Sequence, residues 1–170
     1  MTWTSPPSFV PDGPLVGSDR DILVPFLAAQ RHTLLNVCAG LTAEQLSTRA
    51  LAPSRLSLQG LVRHAAKVER VWFRIRVAGE NVPHLFGGPG DPTDFEDVVP
   101  DAAADEIDLL RQEWELCDAA VGEVPFDFTF DNRGDQMSLR MVYVHMVGEY
   151  ARHNGHADLL REAIDGVTGR

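Results

Sequence analysis

The stretch SLRMVYVHMVGEYARHNGHADLLREAIDG, residues 138–166, decides how the rest of the chain is interpreted. Ser138 is a residue type favoured at helix N-caps, and Gly166 is a residue type favoured just after a helix C-terminus. Apolar side chains such as Met146 recur between these two signals. We therefore predict one long helix that runs from Ser138 to about Ile164.

One side of this helix carries an unusual set of polar side chains. Each residue of an α-helix turns about 100°, so residues four apart lie about 40° apart and one turn along. His145, Glu149, His153 and His156 therefore form one stripe. An imidazole or carboxylate that faces a core must be hydrogen-bonded, paired or metal-bound. Taken singly, such residues are more often solvated or hydrogen-bonded, but the group is hard to satisfy with protein partners alone.

Three further long helices are predicted before this one. Ser18 is an N-cap signal for a helix to about Gly40, and Pro25 either kinks this helix or moves its start to about residue 24. A second helix is predicted from Ser57 to about Ala78, where Gly79 ends it. The third covers roughly 102–122, where apolar residues repeat at intervals of three and four.

The segments between these helices are long, and they set the expected fold. Residues 1–17 contain four prolines, which predicts an irregular N-terminal arm. The connection 80–101 is long enough to run back along a bundle, so the second and third helices can lie parallel. Phenylalanines alternate with polar residues over 126–131, but no partner strand is obvious, and we interpret this segment as an extended loop. The prediction is an all-α, four-helix bundle with long connections, one domain over residues 1–170.

Composition narrows the classes of function. Fifteen basic and twenty-five acidic residues give a formal net charge of −10, which argues against nucleic acid or an anionic membrane surface as the main partner. Cys38 and Cys117 are far apart and indicate reduced core cysteines rather than a disulfide framework. The N-terminus lacks the pattern of a secretory signal, and no apolar run approaches the roughly 18–20 residues of a membrane span. We expect a cytoplasmic protein; a homodimer is left open.

His64 on the second predicted helix connects the stripe to a metal-binding hypothesis. Its neighbours Leu61, Ala65 and Val68 indicate that its face of the helix points inward. Two facing helices that supply inward ligands are a known way of building a metal site in a bundle. Imidazole and carboxylate ligands suit zinc, nickel, iron and manganese, with zinc as the first expectation. The residues alone leave open whether His145 or His156 also binds the metal.

The segments SLQGLVRHAAKVERVWF, residues 57–73, and EYARHNGHADLLRE, residues 149–162, resemble the DinB-like superfamily of metalloenzymes. More narrowly, they resemble its actinobacterial branch of small proteins. The resemblance implies a four-helix bundle with a divalent metal held by His64, Glu149 and His153. Many relatives have His at the position of Glu149. A set of two histidines and one glutamate resembles the ligands of the mycothiol-dependent maleylpyruvate isomerase branch. His156 stands where many relatives have Gln, which implies that it contacts a ligand or substrate rather than the metal.

The resemblance also implies a class of chemistry. Relatives include enzymes that use low-molecular-weight thiols for transfer or isomerisation, so the leading hypothesis is a metal-dependent transferase or isomerase that uses a thiol such as mycothiol on a small electrophile. One alternative is a metal-dependent hydrolase with water as the nucleophile. Another is a bundle that binds metal or a partner without catalysis. The long connections 80–101 and 125–136 are expected to form the pocket rim.

Overall fold

A computed structural model describes residues 2–168. Its four long helices are α1 (Asp19–Cys38), α3 (Leu58–Glu69), α5 (Ala103–Val121) and α6 (Leu139–Asp165). A π-helical segment, Arg70–Val77, continues α3 without a break. The connections contain the short helices α2 (Ala43–Ser47) and α4 (Thr93–Glu96), a 3₁₀ turn (Pro100–Ala102), and the antiparallel strands β1 (Thr129–Asn132) and β2 (Asp135–Ser138). The predicted all-α class is confirmed, since the described residues add only this small hairpin to the helices.

The predicted helix starts are confirmed by their capping hydrogen bonds. The side chains of Ser18, Ser57 and Ser138 each accept a backbone N–H from the first turn of the helix that follows. Gly166 ends α6 in the left-handed conformation, with φ 79°. Helix α1 begins at Asp19, and Pro25 lies inside it, so the alternative start near residue 24 is wrong.

Side-chain contacts fix the directions of two helix pairs. Arg63 of α3 bonds to Glu106 of α5, and two turns later Arg70 bonds to Glu113. The residue numbers of both helices increase by seven between these two contacts, so the helices run parallel, as the length of the connection between them predicts. Asn154 of α6 likewise donates to the backbone carbonyl of Gln30 in α1, and Arg161 donates to the carbonyl of Val37. Helices α1 and α6 are therefore also parallel.

The two pairs face each other in opposite directions. His64 of α3 contacts Glu149 of α6, whereas Trp72, two turns later, packs on His145, one turn earlier. Helix α3 is thus antiparallel to α6, and the long helices run up, down, down, up in chain order. This topology places the middle of α3 directly against the predicted stripe of α6.

A polar network crosses the otherwise apolar interior of the bundle. Arg31 donates to both carboxylate oxygens of Glu69, at 2.7 and 2.8 Å, and both side chains are almost fully buried. Tyr150 donates to the same carboxylate at 3.0 Å and accepts a hydrogen bond from Trp114 Nε1 at 2.9 Å. This network fixes Tyr150, the residue after Glu149, so it also fixes the backbone of α6 at the predicted site.

The π-helical segment changes which residues of α3 share a face. On a continuous α-helix, His64 and Arg76, twelve residues apart, would differ by about 120° in direction. Four residues of an α-helix turn slightly more than a full turn, so positions four apart rotate steadily around the axis. A π-helix has about 4.4 residues per turn, so four of its residues turn slightly less than a full turn and rotate the positions back. His64, Val68, Trp72 and Arg76 consequently stay close to one line along the helix.

One expectation about the connections is wrong. Residues 129–138 form a hairpin rather than an extended loop, with Gly134 at its turn in the left-handed conformation and Arg133 beside it at φ 61°. Residues 2–17 contain no helix, as predicted, but the arm is held by polar contacts of Ser5 and Ser8 while Phe9 stays largely exposed. Among the residues that the structure describes, none of the helices has the length and apolarity to cross a membrane.

Candidate metal centre

The structure brings His64, Glu149 and His153 together at the contact between α3 and α6. Glu149 Oε1 lies 3.2 Å from His64 Nε2 and 3.2 Å from His153 Nε2. One potential ligand atom from each residue lies within 4.8 Å of the other two. All three side chains are partly buried. The predicted three residues therefore form one cluster, although they come from positions 85 residues apart in the chain.

The spacing of this cluster fits a divalent metal ion. Nitrogen and carboxylate ligands bind zinc at about 2.0–2.1 Å, so neighbouring ligand atoms of a tetrahedral site lie about 3.3–3.4 Å apart. The two contacts of Glu149 Oε1, at 3.2 Å, are close to this separation. A void of about 10 Å³ adjoins the three residues, with apolar walls that include Leu34, Leu61 and Ala65. Its volume is about that of one small ligand or ion.

His64 is oriented by a carboxylate that the sequence did not single out. Asp94 Oδ2 lies 2.8 Å from His64 Nδ1, and Asp94 is 2 % exposed. A proton on Nδ1, donated to this carboxylate, leaves the lone pair of Nε2 pointing at the cluster. Phe95 stacks on the same imidazole with ring centroids 4.9 Å apart. Histidine ligands in metal sites usually have such a carboxylate partner.

Asp94 itself is held in place by cations of α3. Lys67 Nζ lies 3.5 Å from Asp94 Oδ1 and donates to the backbone carbonyls of Phe86 and Asp91. Arg63 donates to the carbonyls of Thr93 and Asp94. The connection between α3 and α5 is therefore fastened to α3 at several points. The sequence suggested that residues 80–101 form part of a pocket rim. In the structure, residues 89–95 of this connection line a pocket beside His64.

The electrostatics of the cluster favour an ionised carboxylate between two imidazoles. Hydrogen bonds with His153 and His64 hold the pKa of Glu149 well below its usual range. Burial would lower the pKa of His64, but its contacts with Asp94 and Glu149 outweigh burial and raise the pKa. Burial also opposes ionisation of Asp94, yet the hydrogen bond and charge of His64 lower its pKa. The ionised carboxylate of Glu149 thus faces the two Nε2 atoms, and that of Asp94 lies behind His64.

The other two histidines of the stripe occupy different places. His156 Nδ1 lies 3.4 Å from His153 Nδ1, on the side away from Glu149. Burial, followed by the positive charges of His153 and Arg152, lowers the pKa of His156, so its neutral form is favoured. The ring of His145 instead packs on Trp72, with centroids 4.6 Å apart. Within the described chain, the group with metal-binding spacing contains neither of these two residues.

A larger pocket adjoins the cluster on its α3 side. It has a volume of about 410 Å³, within the range of small-molecule sites. Helix α3 and its π-helical segment form one wall, and residues 89–95 form the other. His64 is shared between this pocket and the metal-sized void. The connection 125–136, which the sequence also suggested as rim, contributes no residue to the lining of this pocket.

The two cysteines lie outside the site. Cys38 and Cys117 are buried and unpaired by disulfide. Burial raises the pKa of the Cys38 thiol to about 12 and raises that of Cys117 further. Neither thiol is ionised near neutral pH, so neither is a nucleophile in the folded protein.

Comparison with known proteins places the chain in a family. No curated protein and no solved structure matches it. The model of one family, described as mycothiol S-transferase, matches residues 22–166. This match confirms the resemblance to DinB-like, mycothiol-related enzymes, and it supports thiol transfer as the general chemistry. Because the match runs from the start of α1 to the end of α6, the chain belongs to the mycothiol S-transferase family.

Proposed function

We propose that this protein is a divalent-metal-dependent enzyme that transfers a low-molecular-weight thiol of the mycothiol type to a small electrophile, or isomerises the electrophile with that thiol's help. His64, Glu149 and His153 would hold the metal, with zinc as the first candidate. The observation that carries the proposal is the convergence of these three side chains on one metal-sized void, with Asp94 behind His64.

The chemistry assigned to each residue follows from its contacts. A divalent cation in this site would supply a Lewis acid that lowers the pKa of a thiol ligand. Asp94 accepts a hydrogen bond from His64 Nδ1–H and keeps Nε2 free to coordinate. His156 does the same for His153, because the unprotonated Nδ1 of a neutral His156 can accept a hydrogen bond from His153 Nδ1–H, 3.4 Å away. Glu149 supplies the negative charge that offsets the cation.

The surroundings of the cluster support a reaction with an external thiol. The protein's own thiols are buried and protonated, so the sulfur nucleophile must enter from solution. The pocket beside His64 offers a route and a volume for such a molecule. Leu34, Leu61 and Ala65, all buried, line the void and exclude water from that side of the cluster.

Metal content tests the binding site. The protein is purified without a histidine tag, reconstituted with divalent metals, and analysed by mass spectrometry. We expect about one equivalent of metal per chain, lost in His153→Ala. The matched control is His145→Ala, which removes a histidine of the same helix that packs on Trp72. Equal metal content in the wild type and His153→Ala would refute the assignment of the ligands.

Thiol dependence tests the reaction. The metal-loaded protein is incubated with a small alkyl halide, and loss of the halide is measured with and without mycothiol. We expect enzyme-dependent loss only when the thiol is present, with a thioether as the product. Turnover in the absence of any thiol would point to the hydrolase instead. A loaded protein that converts neither substrate mixture would contradict the transferase assignment.

A further inference from the structure

The wall of the 410 Å³ pocket is a continuous line of side chains from the candidate metal centre outward. It begins at His64, passes the apolar side chains of Val68 and Trp72, and ends at Arg76. His64, Val68 and Trp72 would share a face on any α-helix, but Arg76 joins them because the π-helical segment reverses the rotation of the preceding α-helix. The pocket therefore has a reactive end at His64, an apolar middle at Val68 and Trp72, and a cationic end at Arg76.

Arg76 differs from the other arginines of this helix. Arg63, Arg70 and Arg74 each form an ion pair with a buried or half-buried glutamate. Within residues 2–168, Arg76 forms no ion pair with a carboxylate; its guanidinium donates to the side-chain oxygen of Asn132 at 2.8 Å. Most of its five donor hydrogens are thus free to bind another group.

The position of the Arg76 guanidinium suits an anionic ligand. The guanidinium carbon lies 4.1 Å from the centre of the Trp72 ring, which restrains the flat group at the pocket wall. Burial, and then the positive charge of Arg133 nearby, lower the pKa of Arg76. The acidic residues of the pocket are already engaged, Asp94 with His64 and Asp91 with Thr93.

We propose that this pocket binds the electrophilic substrate, that the substrate carries a carboxylate, and that Arg76 binds this carboxylate. The apolar body of the substrate lies over Val68 and Trp72, and its reactive carbon faces His64. This inference rests on the proposed function for the role of the reactive end, but the anion site stands on its own contacts. The Arg76 guanidinium lies against the ring of Trp72, which is eight residues along the helix from His64, so the carboxylate and the reactive carbon are separated by on the order of 10 Å.

Binding of an unreactive probe tests the inference without any turnover. Isothermal titration calorimetry compares biphenyl-4-carboxylate with biphenyl-4-carboxamide, which has nearly the same shape but no charge. The proteins are the wild type, Arg76→Gln, Arg76→Lys and the control Arg152→Gln. Arg152 is an exposed arginine of α6 that does not line the pocket, so its replacement changes the net charge equally.

The expected pattern follows from the strength of charged hydrogen bonds. Wild type should bind the carboxylate about tenfold or more tightly than the carboxamide, and Arg76→Gln should lose about that factor for the carboxylate alone. Arg76→Lys should retain part of the preference, because lysine keeps the charge but not the planar fork. Arg152→Gln should bind both probes as the wild type does.

Three outcomes would overturn the inference: no saturable binding of the carboxylate by the wild type, equal binding of the two probes, or an unchanged preference in Arg76→Gln. Circular dichroism of each variant establishes that it is folded. Metal content, measured on the same samples, separates the two proposals. A wild type without metal that still discriminates the probes would refute the metal-dependent reaction and leave the anion site intact.

Discussion

Replacing Asp94 with asparagine should weaken metal binding while leaving the fold in place. The substitution removes one negative charge from a residue that is 2 % exposed and lies 2.8 Å from His64 Nδ1. Asparagine can still accept a hydrogen bond from Nδ1–H, but a neutral acceptor makes Nε2 a weaker ligand and holds the tautomer less firmly. Lys67 loses an ion-pair partner at 3.5 Å and keeps its bonds to the carbonyls of Phe86 and Asp91. The connection should therefore remain fastened to α3.

The expected loss of metal affinity follows from other metal sites in which a carboxylate holds a histidine ligand. Loss of a carboxylate behind a histidine ligand typically costs 10–100-fold in metal affinity, or about 1.4–2.8 kcal/mol. The assay is competition for zinc with a chromophoric chelator, for the wild type, Asp94→Asn and Asp97→Asn. Asp97 is an exposed carboxylate of the same connection and controls for the change in charge. Zinc affinity of Asp94→Asn within twofold of the wild type, or an equal loss in Asp97→Asn, would refute the orienting role of Asp94.

Three other predictions concern stability, thiol reactivity and pH. Glu69→Gln should lower the free energy of unfolding by about 3 kcal/mol, because it leaves the buried Arg31 with only the half-exposed Asp118 as a charged partner; thermal unfolding should show a Tm lower by about 6–12 °C, and an unchanged Tm would contradict this. Cys38 and Cys117 should not react with Ellman's reagent in the folded protein and should both react in denaturant. Zinc affinity should fall as the pH is lowered, because the contacts of His64 with Asp94 and Glu149 outweigh burial and raise its pKa, so that a proton competes with the metal for His64; chelator competition at several pH values would contradict this if affinity stayed constant.

The long helices could be predicted from the sequence because their signals are local. A serine before each of three helices and Gly166 after the last act within one turn of the chain. The hairpin at 129–138 was missed because its second strand, Asp135–Ser138, has no apolar alternation and is defined by pairing. The π-helical segment also has no local signature, since the spacing of its apolar residues fits an ordinary helix as well.

The candidate site also combines residues that local spacing predicts with a residue that only tertiary contacts bring into place. Glu149 and His153 are four residues apart on one helix, so their proximity follows from helix geometry, and the inward face of α3 brings His64 to them. Asp94 could not be found in this way, because it lies in the connection, and tertiary contacts from Arg63 and Lys67 bring it to His64. Helical spacing predicts which residues share a face, but it does not predict where a long connection folds back.

The fastening of that connection has a consequence for the thermodynamics of ligand binding. Arg63 and Lys67 hold the carbonyls of Phe86, Asp91 and Thr93 in the ligand-free protein, so this wall of the pocket loses its conformational entropy when the chain folds. A ligand that enters later meets a wall that is already ordered, and its affinity is not reduced by the ordering of a loop. Binding should then resemble docking to a rigid surface, with a heat-capacity change that reflects only the apolar area covered in the pocket.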